Sequence, residues 1–125
     1  MENKSFGEYL RKLRKGRQLS QEKLASDVHR KKMTISDIEQ GKNYPPQGEL
    51  LEMIIYAMRL SASEAQDLRF LAAKERNQIP GDVLDYFFSD PSICDALRVA
   101  KEKQLSGEDL LSLICRDDSE EYSNV

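Results

Sequence analysis

The sequence predicts an all-α fold: a five-helix unit over residues 1–78, a small helical C-terminal extension over 79–116 and a flexible acidic tail over 117–125. Three observations predict it. Apolar residues recur at three- and four-residue spacing along most of the chain, and no stretch shows the alternating period of a half-buried strand. Capping residues, together with glycine and proline stops, divide that pattern into helix-length pieces. At 125 residues the chain suits one domain with an appendage and can bury a real core.

Each element follows from local chemistry. Ser5-Phe6-Gly7-Glu8 reads as a capping box, after which Phe6, Tyr9, Leu10 and Leu13 share one face of a first helix. Ser20 is placed to cap a second helix, with Leu19 and Leu24 spaced as a hydrophobic staple and Ala25 and Val28 extending the same face. A third helix runs from about Lys32 to Gln40, with Ile35 and Ile38 inward and Gly41 as its left-handed stop. KNYPPQG is a loop, since each proline biases its predecessor away from helix. A fourth helix covers about Gln47 to Met58, burying Leu50, Leu51, Ile54, Ile55 and Met58. Ser63 is expected to cap a fifth, which carries Ala65, Leu68, Leu71 and Ala72 and fades near Asn77.

NQIPGD marks a boundary. Beyond it come an apolar segment, Val83 to Phe88, and a cap at Ser89 or Asp90 with Pro91 opening the next helix. Ile93, Leu97 and Ala100 line that helix, and Ser106 is placed to cap a last one bearing Leu110, Leu111, Leu113 and Ile114. The end, RDDSEEYSNV, is acidic and expected to fray.

Charge is unevenly distributed. Residues 1–48 hold 11 Lys and Arg against 6 Asp and Glu, whereas residues 49–125 hold 8 against 16. The net charge of −3 therefore hides a basic front, which suits a polyanionic partner or a solvated basic face. No apolar run approaches the roughly 18 residues of a membrane span, and the start lacks a signal-like pattern, so a cytoplasmic location is expected. Cys94 and Cys115 are far apart with no nearby histidine, which fits two reduced, partly buried thiols rather than a zinc site or a disulfide framework.

The stretch LSQEKLASDVHRKKMTISDIEQGK gathers the informative residues. Its Leu19-Ser20-Gln21-Glu22, Leu24-Ala25, Thr34-Ile35-Ser36, Ile38-Glu39 and Gly41-Lys42 resemble the helix-turn-helix of the Cro/phage-repressor (XRE) family, over roughly residues 5–76. The resemblance implies a five-helix, lambda-repressor-like DNA-binding unit. It implies that Lys32, Met33, Thr34 and Asp37 read base edges, and that Gln21 touches the DNA backbone. It also implies a structural ion pair between Arg14 and Glu39. The chemistry is suitable: Lys bonds guanine, Met packs on a thymine methyl, and Asp accepts from cytosine N4. Arg30, Lys31, Lys42 and Asn43 are placed for phosphates, which add affinity without sequence information.

The corner HRKK departs from the family pattern. His29 stands where the family usually has Gly, and His tolerates the left-handed conformation better than most residues. Arg30 replaces an apolar residue, and Lys31 occupies the position of the usual Ser or Thr cap. Two readings follow: positive charge at a groove-entering helix end, or a slightly longer turn that shifts the register of Lys32 and Met33 by one residue. His29, the single histidine, lacks any Cys, second His or placed nucleophile, so a backbone or phosphate contact fits it better than catalysis or metal binding.

Residues 80–116 carry no catalytic motif. Tyr86, Phe87 and Phe88 cannot all point inward on one helix, so they either leave aromatic surface for a partner or cover the five-helix unit. The sequence as a whole is expected to encode a non-enzymatic, cofactor-free regulator of transcription. It is read as a repressor that binds double-stranded DNA at an inverted-repeat operator as a homodimer. The alternative is an antitoxin-like module whose residues 80–116 bind a protein partner.

Overall fold

The computed structural model describes residues 4–123, with side chains through residue 116. Among the described residues are eight helices and no strand: α1 (Phe6–Gly16), α2 (Gln21–Asp27), α3 (Lys32–Gln40), α4 (Gly48–Ala57), α5 (Ala62–Glu75), α6 (Gly81–Phe87), α7 (Pro91–Glu102) and α8 (Gly107–Ser123). The fold is all-α. The chain divides into two compact units between Leu84 and Asp85.

In the first unit one core collects an apolar stripe from each of α1 to α5. Phe6, Leu10, Leu24, Val28, Ile35, Ile54, Met58 and Leu68 are its largest fully buried side chains. Leu19 and Leu50 pack against its edge. Burying a side chain of this size contributes about 1.5–3 kcal/mol, so the pattern that forms each helix also decides which face turns inward.

Starts and stops are chemically specified. The Ser5 hydroxyl accepts the Glu8 N–H at 3.1 Å, and the Ser20 hydroxyl accepts that of Lys23 at 3.0 Å. The Phe6 N–H, another free donor at the start of α1, is taken by Glu75 Oε1 at 2.9 Å. The fifth helix is capped by Ser61, not Ser63. Ser61 and Glu64 exchange both bonds of a capping box, and Arg17 from α1 closes on the same Glu64 carboxylate at 2.6 Å. That long-range bond favours Ser61 over the equally spaced Ser63–Gln66 pattern two residues on.

Five helices end on a non-glycine residue in the left-handed region: Gln18, His29, Arg59, Asn77 and Gln104. In each case the next N–H reaches back to the carbonyl five positions earlier, as Leu19 does to Arg14 at 3.1 Å and Gln78 to Ala73 at 2.8 Å. Gly41 ends α3 with φ at +76°.

Gly7 sets the approach of α1 to α3. A Cβ there would meet the carbonyl oxygens of Glu39 and Ile38, the latter at 2.5 Å, and the Glu39 carbonyl carbon at 2.8 Å. Glycine is thus required for close approach of two helices whose sequence positions lie far apart.

The second unit is built differently. Asp90 caps α7 by accepting the Ser92 N–H at 2.9 Å, with Pro91 in the first turn. Ser106 and Asp109 exchange bonds of 3.0 and 2.9 Å at the start of α8. Ala100 is the buried apolar residue among the described side chains of this unit, and Tyr86, Phe88, Leu111 and Ile114 are each more than 60% exposed. The backbone of 117–123, where a flexible tail is expected, is the end of α8; the side chains of 117–123 and all of 124–125 lie outside the described residues. Cys94 is half-buried, whereas Cys115, expected to be partly buried, is exposed.

Candidate nucleic-acid interface

Helices α2 and α3 form a helix–turn–helix corner. Leu24, Ala25 and Val28 face Ile35 and Ile38 in the core, which fixes the crossing of the two helices. His29 has φ of +56°, and its N–H reaches Ser26 O at 3.2 Å while that of Arg30 reaches Ala25 O at 2.9 Å. Lys31 stands at the N-cap of α3 and makes no side-chain cap. The corner has the tight-turn geometry, with histidine in the place of glycine.

Beneath this corner lies a buried ion pair. Arg14 Nε meets Glu39 Oε2 at 2.7 Å and Arg14 Nη2 meets Glu39 Oε1 at 3.0 Å, with both side chains under 10% exposed. Arg14 Nη1 also donates to the Leu19 carbonyl at 2.8 Å. The Glu39 carboxylate holds the Arg14 pKa above its ordinary value. A bidentate pair of this kind fixes distance and orientation together, so it ties the last turn of α1 to the last turn of α3.

The structure distributes the sequence-identified residues as follows. Lys31, Lys32 and Met33 are exposed at the N-terminal end of α3, and Met33 is 71% exposed despite its apolar side chain. Thr34 and Asp37 are half-buried on the flank of the helix, and Lys42 and Asn43 are exposed just beyond its end. Gln21 is turned toward the scaffold: its Nε2 donates to Glu39 Oε1 at 3.0 Å. Arg30 folds back, its Nη1 donating to the carbonyls of Val28 and His29 at 3.3 and 3.2 Å. That contact neutralises the C-terminal end of α2, a residue-level outcome that spacing does not reveal.

Two groups were missed by sequence reasoning. Glu22 on α2 pairs with Lys32 at 2.8 Å. Arg11 joins Ser20, Gln21, Glu22, Lys32 and Ser36 around a polar cleft of about 440 Å³ between the helices. The i, i+4 Gln40–Ser36 bond at 3.1 Å completes the outer side of α3. Glu22 carried a legible signal only as a first-turn acid, which is the commonest reason for a Glu at that place.

A larger, mostly apolar groove of about 780 Å³ runs along α4, α5 and residues 78–84. Its charged rim is already engaged, Arg69 by Glu52 at 2.7 Å and Arg76 by the Pro45 carbonyl at 2.8 Å. It lies apart from the α2–α3 surface. Among the described residues no cluster of His, Cys, Asp and Glu is arranged to hold a metal ion, and no helix is long and apolar enough to cross a membrane.

The histidine at the corner yields a direct expectation. A left-handed non-glycine residue carries a cost of roughly 1–2 kcal/mol, partly offset by the greater unfolded-state entropy of glycine. His29→Gly is therefore expected to raise the Tm by about 3–6 °C in a thermal melt. A lower Tm would mean that the imidazole makes a stabilising contact of its own.

No curated protein and no solved structure matches the chain. A family model described as a helix-turn-helix domain matches residues 5–68, which spans α1 to α4 and the first half of α5, more than half of the 125 residues. With that match laid over the corner, its left-handed turn and its exposed third helix, the chain belongs to the helix-turn-helix domain family.

Proposed function

We propose that this protein is a sequence-specific DNA-binding regulator of transcription, of the Cro/phage-repressor (XRE) kind, acting as a repressor on an inverted-repeat operator. The observation that carries the reading is the outward end of α3. Lys31, Lys32 and Met33 stand exposed there, while Ile35 and Ile38 of the same helix are locked in the core. A rigid helix presenting cationic and apolar tips suits the major groove, where lysine reads guanine and a methionine side chain packs on thymine methyl. Lys32, Met33, Thr34 and Asp37 are assigned to base edges. Lys31, Lys42 and Asn43 are assigned to phosphates, as are Gln21 and Arg30 once they leave Glu39 and the α2 carbonyls.

The reading includes a homodimer through residues 80–116. One recognition helix spans too few base pairs to select a single genomic site, and two-fold pairing doubles the readout. Tyr86, Phe88, Leu97, Val99, Leu111, Leu113 and Ile114 are all at least 45% exposed, an apolar surplus that a second copy would cover. The same surplus favours a second reading, in which this acidic unit captures a different protein. Sedimentation of the pure chain separates them: a dimer at micromolar concentration supports the first, a monomer the second.

DNA binding itself is tested by titrating a mixed-sequence duplex at increasing salt. Log affinity is expected to fall linearly with log salt, with slope of about −0.9 for each phosphate neutralised. An affinity that stays flat from low to physiological salt would remove the DNA reading.

A further inference from the structure

The first residue of α3 is not a free cation. Lys32 Nζ sits 2.8 Å from Glu22 Oε1, across the mouth of the α2–α3 cleft. Both side chains remain more than half exposed, so nothing in the core forces them together. The hydrogen bond from the Lys32 ammonium holds the Glu22 carboxyl below its ordinary pKa. Elsewhere on this surface the arrangement differs. Lys31 and Lys42 are exposed, and the neighbouring Glu39 carboxylate is buried and occupied by Arg14 and Gln21. Glu22 is thus an exposed acid on the face proposed to meet DNA, where Asp37 is half-buried, and it stands against a proposed base reader.

We propose that Glu22 sets specificity by holding Lys32 in an internal ion pair that non-cognate DNA does not break. The inference rests on the DNA-binding reading above. Non-specific affinity is a matter of cations replacing condensed counterions along the phosphates. A lysine already neutralised by a carboxylate releases few counterions, and the carboxylate is itself repelled by the backbone. On random sequence the pair therefore subtracts from binding. On a cognate site a guanine edge offers Lys32 two acceptors, O6 and N7, in place of one carboxylate oxygen, and the lysine transfers. Glu22 thus lowers the background more than the specific complex, and the ratio between them widens.

The test uses the full chain and a mixed-sequence 20-base-pair duplex as probe, with affinity measured across salt. Glu22→Gln keeps the size and exposure of the side chain but frees Lys32. It is expected to raise affinity for the mixed duplex about three- to tenfold and to steepen the salt slope by about 0.9, one additional phosphate contact. The gain should vanish in the Glu22→Gln/Lys32→Ala double variant. Asp27→Asn serves as the charge control. It removes one acid from the same helix, but Asp27 pairs with Lys23 rather than with a residue of α3.

An unchanged affinity in Glu22→Gln, an equal gain in Asp27→Asn, or a gain that persists without Lys32 would each overturn the inference. A wild-type chain that binds no duplex at low salt would overturn the DNA reading itself, and this inference with it. A wild-type chain that binds while Glu22→Gln changes nothing overturns the inference alone.

Discussion

Replacing Gly7 by alanine is expected to lower the stability of the first unit by roughly 2–3 kcal/mol, the upper part of the usual range for forced overpacking. Helix propensity argues the opposite way. Alanine in place of a helical glycine is ordinarily favourable by about 0.5–1 kcal/mol. The contact decides, because the atoms a Cβ would strike are the carbonyl groups of Ile38 and Glu39, which cannot swing aside as a side chain can. To admit the methyl group, α3 must slide away from α1 and carry its exposed end with it. A thermal melt of Gly7→Ala should show a Tm lower by about 10–20 °C for a unit of this size. Duplex affinity should fall as well. A Tm within a few degrees of the wild type would mean that the two helices pack more loosely than these distances indicate.

The second large effect is expected at the buried ion pair. Removing one partner strands the other as an unpaired charge in the core, which costs roughly 3–5 kcal/mol. Arg14→Met leaves Glu39 with the single neutral donor Gln21 Nε2 and deprives the Leu19 carbonyl of its bond. Both Tm and DNA affinity should drop, since the pair holds α3 against α1. The double variant Arg14→Met/Glu39→Met should be less damaged than Arg14→Met alone, because it buries no lone charge. If Arg14→Met keeps full stability and loses only DNA binding, Arg14 belongs to the binding surface and not to the scaffold.

These two expectations have different visibility in the sequence. Arg14 and Glu39 were identified through a family resemblance, and their chemistry, one long cation and one acid, is at least compatible with pairing. Gly7 gave no such sign. Inside Ser5-Phe6-Gly7-Glu8 it reads as a tolerated residue in the first turn of a helix, and the reason for it lies more than thirty residues away in the carbonyls of α3.

Features set by short-range forces are legible in the linear chain. Hydrophobic spacing placed Leu10, Leu24, Ile35, Ile54 and Leu68 in the core, and Ser5, Ser20, Asp90 and Ser106 act as the caps their positions suggest. His29 adopts the left-handed turn that its place between two helices demands. Such features depend on neighbours within about five residues, which a linear pattern displays. The other features were set by contacts between distant parts of the chain. Arg17 from α1 selected Ser61 over Ser63 as the cap of α5, and Glu39 drew Gln21 inward. Glu22 on α2 closed on Lys32 of α3. Ile79 and Pro80 remain half-buried beside the groove along α4 and α5, so the first compact unit extends past the NQIPGD punctuation to Leu84. These contacts join residues ten or more positions apart, which a linear pattern does not display.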